Sequence, residues 1–149
     1  MGIVSLAVFL VVTVGGGLAI GYLARPGAWY AGLAKPSFNP PDWVFAPVWT
    51  ILYVLIAVAG WRVFGTPGGG TAMGAWIAAL ALNSLWSPVF FGLRRPAVAL
   101  VVVIALLAAI VGFIILAWPV DRVAALLFLP YAVWVAFATA LNAAVVRLN

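Results

Sequence analysis

Apolar runs of about twenty residues, separated by short clusters of proline, glycine and charge, divide the chain into five segments. A helix needs about 20 apolar residues to cross the hydrocarbon core of a bilayer, and the runs at roughly 3–24, 44–64, 71–91, 97–118 and 123–146 have that length. The pattern predicts an all-α integral membrane protein, a five-transmembrane-helix bundle that occupies residues 1–149 as one domain. The first run lacks the basic start of a signal peptide, and apolar residues continue after Gly15, Gly16 and Gly17, so it reads as a retained helix. One connection is long, RPGAWYAGLAKPSFNPP from Arg25 to Pro41. Its prolines forbid a continuous helix, while Trp29, Tyr30, Leu33 and Phe38 give it an apolar side. Such a segment either folds back on the bundle as a lid or rests among lipid headgroups.

Polar and aromatic residues inside the runs are few and fall on single faces. Asn83, Trp86 and Ser87 stand at i, i+3 and i+4 of the third run, and Trp134, Ala138, Leu141 and Asn142 share one face of the fifth. Trp49 and Tyr53 are one turn apart on the second. Counted from the helix ends nearest the long connection, Trp49 lies about 10 Å deep, Trp86 about 12 Å and Trp134 about 20 Å. Two readings fit these faces: amides and hydroxyls that join helices inside a membrane, or the walls of a ligand pocket.

Composition names the solvent. The chain is 68% hydrophobic, with seven basic and two acidic residues, whereas about a quarter of a soluble domain is charged. The net charge of +5 would point to nucleic acid in a soluble chain, but here the basic residues sit at helix ends, where they meet headgroups and set topology. Arg25, Lys35, Arg94, Arg95 and Arg147 fall on one side, Arg62 and Arg122 on the other. The positive-inside rule then places the N-terminus outside and the C-terminus in the cytoplasm of a bacterial inner membrane. Asp42 and Asp121 precede the second and fifth runs, where a carboxylate caps free N–H groups.

Several chemistries are absent. There is no histidine and no cysteine, and neither acid lies inside a run. Proton-coupled pumps place ionisable groups in their helices, zinc sites and haem ligation draw on histidine or cysteine, and nucleophilic triads need a histidine or equivalent base. No metal site and no obligatory cofactor is expected. Of the eight tryptophans, Trp43, Trp61, Trp76 and Trp118 lie near helix ends and fit an aromatic belt at the headgroups. The spacings of Gly17 with Gly21 and of Gly74 with Ala78 would let a second helix or a second copy approach closely.

Three long stretches, WYAGLAKPSFNPPDWVFAPVWTILY (Trp29 to Tyr53), ALNSLWSPVFFG (Ala81 to Gly92) and PYAVWVAFATALN (Pro130 to Asn142), resemble, in order, those of the tryptophan-rich sensory proteins, the TspO or translocator protein family. The resemblance covers essentially the whole chain. It implies a five-helix bundle, homodimeric, with a pocket opening toward the first loop, and a membrane receptor or sensory protein that binds tetrapyrroles such as protoporphyrin and transports them. The family's pocket positions correspond to Tyr30, Pro40, Phe45, Trp49, Tyr53, Asn83, Trp86, Ser87, Trp134, Ala138 and Leu141. Two other roles follow from the same resemblance. One is light-dependent oxidative breakdown of the bound porphyrin, with Trp49 and Trp134 in the positions implicated; the other is a lipid- or sterol-binding scaffold. The sterol-recognition motif of animal relatives has a tyrosine where this chain has Ala143, which speaks against tight sterol binding there. Carboxylates of a porphyrin would meet Arg25 or Lys35 near the loop.

Overall fold

A computed structural model describes residues 2–149. Among the described residues, five helices are long and apolar enough to cross a membrane: Ile3–Leu23, Asp42–Phe64, Gly70–Gly92, Pro96–Ala117 and Arg122–Leu148. They are called the first to fifth helices below, and their limits lie close to those expected from hydropathy.

Local chemistry sets the boundaries. Pro96 opens the fourth helix at a position where no N–H is needed. Asp121 caps the fifth as expected, its carboxylate accepting from the Ala124 N–H at 3.2 Å, and it also accepts from Arg62 at 3.0 Å, joining the second helix to the fifth. Asp42 does not cap. It opens a 3-10 turn, Asp42–Val44, without a side-chain capping bond, because Pro41 leads the chain into that turn and the carboxylate turns to the cavity described below.

The fifth helix is not the continuous run expected from hydropathy. It comprises Arg122–Leu127 and Leu129–Leu148 with a break at Phe128. Pro130 has no N–H to offer Leu126, and its ring crowds that carbonyl. The break is stabilised by packing, since Phe128 is fully buried with its ring 4.1 Å from that of Phe113 and 5.2 Å from that of Tyr131. The third helix ends in a π turn, Pro88–Gly92, closed by the Leu93 N–H on the Pro88 carbonyl at 2.8 Å. Arg94, at φ 56°, then reverses the chain.

The core lies among the second to fifth helices, around Tyr131, Phe113, Phe128 and Ile110. The first helix lies along the outside of the bundle and contributes little to its interior. One tryptophan assigned to the belt, Trp76, departs from it. Trp76 is buried and donates its indole N–H to the Ile56 carbonyl at 2.8 Å, in space left by Gly60. Trp61 donates to the Ser5 hydroxyl at 3.1 Å, tying the first helix to the second. Trp43 and Trp118 are exposed at helix ends, as a belt requires. Gly17 is likewise occupied within the chain, because the ring of Tyr53 packs against it, whereas Gly21 and Gly74 have open space where a side chain would be.

The long connection folds over one end of the bundle as a strap. It contains one helical turn, Ala28–Ala31. Trp29 and Tyr30 meet the edge of Phe90 with ring centroids 6.0 Å apart, and Tyr30 meets Phe91 at 5.2 Å. Phe38 reaches Phe137 at 6.1 Å. Asn149 completes the seat: its side chain accepts from the Ala34 N–H at 3.1 Å and donates to the Ala34 carbonyl at 2.9 Å.

Candidate functional site

Beneath the strap, the bundle encloses a cavity of about 580 Å³, within the range of small-molecule sites, roughly 300–1,000 Å³. Each expected position except Pro40 is a wall of it: Tyr30 from the strap, Phe45, Trp49 and Tyr53 from the second helix, Asn83, Trp86 and Ser87 from the third, and Trp134, Ala138 and Leu141 from the fifth. Pro40 is half-buried in the strap outside this lining. It leads into the second helix, and Asp42 and Phe45 rather than the proline turn toward the cavity.

The walls are aromatic because the faces read from the sequence converge. Trp49 lies 5.4 Å from Tyr53 and meets Tyr131 edge-on at 6.3 Å. Trp134 meets Phe45 at 5.8 Å. Trp86 lies 5.1 Å from Phe90, one turn further along the same helix face. Phe90 and Phe91 also line the space, and the spacing of Phe90 from Trp86 was the available signal for it.

The buried amides serve both readings offered by the sequence. Asn83 donates to the Tyr131 hydroxyl, joining the third helix to the fifth. Asn142 accepts from the Trp86 indole N–H at 3.0 Å and donates to the Pro96 carbonyl at 2.8 Å, joining the third, fourth and fifth. These bonds satisfy groups that would be costly to leave unpaired in a membrane interior. They also hold Trp86 in one orientation, so the joints between helices fix the walls of the cavity.

Charge enters at the mouth, where Arg25, Asn39 and Asp42 join the lining with Tyr30. Burial pushes the Tyr30 phenol above its usual pKa, and the Asp42 carboxylate adds to this, with the Asn39 side chain opposing. The phenol therefore stays protonated at neutral pH as a hydrogen-bond donor. Arg25 stacks on Tyr22 with its guanidinium 4.5 Å from the ring centre. Lys35 is engaged in the strap instead, 4.5 Å over the Tyr30 ring and donating to the Ala31 and Leu33 carbonyls. Of the two cations expected to meet a ligand carboxylate, Arg25 is the one on the cavity wall. Ala143 is exposed and lies outside the lining. The cavity thus combines aromatic walls with one cation and one carboxylate at its mouth.

The sequence profile of the TspO/MBR family matches residues 7–148. The chain belongs to the TspO/MBR family. Protein CrtK of Rhodobacter capsulatus is 39% identical over 153 aligned residues, covering 100% of this chain and 95% of its own. A tryptophan-rich sensory protein of Cereibacter sphaeroides is 43% identical, covering 87% of this chain and 82% of its own. The human translocator protein is 40% identical, with 81% and 75% covered. The residues matched to the TspO/MBR profile include every wall of the cavity and both residues, Asn83 and Asn142, that join its helices.

Proposed function

We propose that this TspO/MBR protein is a membrane receptor for tetrapyrroles of the protoporphyrin type, which it holds in the cavity under the strap and transports. The observation that carries the reading is the pairing of an aromatic enclosure of about 580 Å³ with Arg25 at its mouth. A porphyrin is a flat apolar macrocycle with carboxylates along one edge. Indole and phenol rings bind such a face, each aromatic contact contributing roughly 0.5–1.5 kcal/mol beyond area burial, while the guanidinium meets the carboxylates. The strap acts as a lid. The strap side, which carries Arg25, Lys35, Arg94, Arg95 and Arg147, faces the cytoplasm, and the N-terminus lies outside.

Titrating protoporphyrin into the purified protein, with tryptophan fluorescence as readout, is expected to give saturable quenching. Arg25→Gln is expected to weaken binding about two- to fivefold for the diacid and to leave the dimethyl ester unaffected, as fits an exposed ion pair. Absence of saturable quenching in folded protein refutes the reading.

A second reading draws on Trp49, which lies on the wall in contact with both Tyr53 and Tyr131. Indoles beside a light-excited porphyrin in air promote its oxidative breakdown, the ligand supplying the photochemistry and dioxygen the oxidant. Illumination of the complex then gives a new product absorbance. Bleaching by Trp49→Phe combined with Trp134→Phe at the wild-type rate removes this reading.

A further inference from the structure

A second space adjoins the cavity on the outside of the bundle. It is a groove of about 570 Å³ between the second and fifth helices, bounded by Val48, Ile51 and Leu55 on one side and Pro130, Val133 and Phe137 on the other. Each of these side chains is apolar. Ile51 is 61% and Val133 72% exposed, so the groove is open along its length. Val48 and Leu55 stand six and thirteen residues beyond Asp42, where the second helix begins, which places the groove about 9–20 Å along the helix from its strap-side end. At that depth the surroundings are hydrocarbon, and only apolar matter fills the groove.

Trp134 is a wall of both the groove and the enclosed cavity. On the side of the second and fifth helices, Trp134 therefore borders both spaces, while the exposed Leu18 and Tyr22 of the first helix border the cavity elsewhere. The Trp134 indole is held differently from the fixed tryptophans. Trp61, Trp76 and Trp86 each donate the indole N–H to a named acceptor, whereas Trp134 is held by the rings of Phe45 at 5.8 Å and Phe137 at 5.6 Å. Among the described residues no hydrogen bond fixes its indole. The segment that carries it begins after the break at Phe128, and Pro130, in its first turn, lies at the groove itself.

We propose that this groove is a side entrance through which a flat apolar ligand dissolved in the bilayer reaches the cavity, with Trp134 as the movable partition. The proposal rests on the tetrapyrrole reading of the cavity. The macrocycle of a porphyrin partitions into the bilayer on the groove side with its carboxylates at the strap-side headgroups, while the strap, seated by Trp29, Tyr30 and the two bonds of Asn149 to Ala34, lies over the route from water. The groove lies open to the hydrocarbon, so a flat ligand can rest against its apolar walls before it passes inward. Because no hydrogen bond has to be broken when this indole swings, only ring contacts are lost and regained.

The test is kinetic. The full chain is reconstituted in phospholipid nanodiscs, and association and dissociation of protoporphyrin are followed by stopped-flow tryptophan quenching. Ile51→Phe combined with Val133→Phe fills the groove from two lipid-exposed positions outside the cavity lining. Both rates are expected to fall together by fivefold or more with Kd unchanged, and each single variant is expected to give an intermediate slowing that does not depend on the double variant folding. Asn149→Ala, which frees the strap, is expected to leave both rates as they are. Saturable quenching with unchanged rates in the groove-filled variants overturns the side entrance while leaving the tetrapyrrole reading intact. A changed Kd with an unchanged association rate also overturns it, since the groove would then shape the site rather than admit the ligand. Absence of saturable quenching by the wild type refutes the tetrapyrrole reading and this proposal with it.

Discussion

Ala138 shows how little room a single side chain has in this cavity. It follows Trp134 by one turn and is a wall of the enclosed space, where a methyl group lets a flat ring approach the helix. Ala138→Thr adds a branched polar group whose hydroxyl bonds back to the Trp134 carbonyl, as Thr139 already does to Val135 at 2.7 Å. Protoporphyrin binding is expected to weaken by about 1–2 kcal/mol, the usual cost of overpacking a tight site, with the thermal midpoint in the same detergent little changed. Equal affinity, or a loss that follows unfolding, removes Ala138 from the binding surface. At this scale the sequence was informative wherever a residue shared a helix face with its neighbours, as Trp86 does with Asn83 and Ser87. It misled where the partner came from another helix. Trp76 lies near a helix end and resembles a belt residue, but its surroundings are set by Gly60 and the Ile56 carbonyl across an interface, which no periodicity within one helix can show. Asp42 misled for a related reason: the acid precedes an apolar run, yet the prolines before it fix a 3-10 entry that directs the carboxylate elsewhere.

Pairs of helices approach closely at two glycines, and the two contacts separate binding from stability. A side chain at Gly17 would begin 2.5 Å from the Tyr53 ring, and one at Gly60 would begin 2.5 Å from the Trp76 ring. Each ring must shift to admit the added carbon, so each Gly→Ala substitution is expected to destabilise the bundle by roughly 1–3 kcal/mol. Only Tyr53 is a wall of the cavity. Gly17→Ala is therefore expected to weaken porphyrin binding, and Gly60→Ala to lower the thermal midpoint with affinity retained in the folded fraction. Matched affinities for the two variants, measured beside their midpoints, contradict this division. The helices themselves were legible because hydropathy and length decide what crosses a bilayer. The break in the fifth was not, although Pro130 is plain in the sequence. Neighbouring helices can re-satisfy the backbone around a transmembrane proline, so whether such a proline interrupts a helix depends on what packs there, in this case Phe113 against Phe128.

The whole molecule has two unlike ends. One is closed by the Arg62–Asp121 ion pair, the other by the strap and its aromatic contacts with the third and fifth helices. The partition of basic residues between the ends was readable from the sequence, since five crossings alternate sides. The seating of the strap was not, because its bonds join positions far apart in the chain: Ala34 and Asn149 are separated by 115 residues. Asn149→Ala removes both bonds to Ala34 and is expected to make the segment around Leu33–Asn39 cleavable by a broad-specificity protease several-fold faster, with the helices untouched; an unchanged cleavage rate means that Trp29 and Tyr30 hold the strap unaided. The same separation imposes an order on biosynthesis. A ribosome adding about 5–20 residues per second finishes the strap roughly ten seconds before it delivers the residue that fastens it. For about the first half of that interval Trp29 and Tyr30 lack Phe90 and Phe91 of the third helix, and Phe38 lacks Phe137 of the fifth until near its end. The mouth of the cavity is thus the last part of the molecule to take shape, and a ribosome stalled before the fifth helix has emerged displays a strap docked at most on the third helix, its stretch around Ala34 and Phe38 open to whichever insertion factor or chaperone attends the membrane.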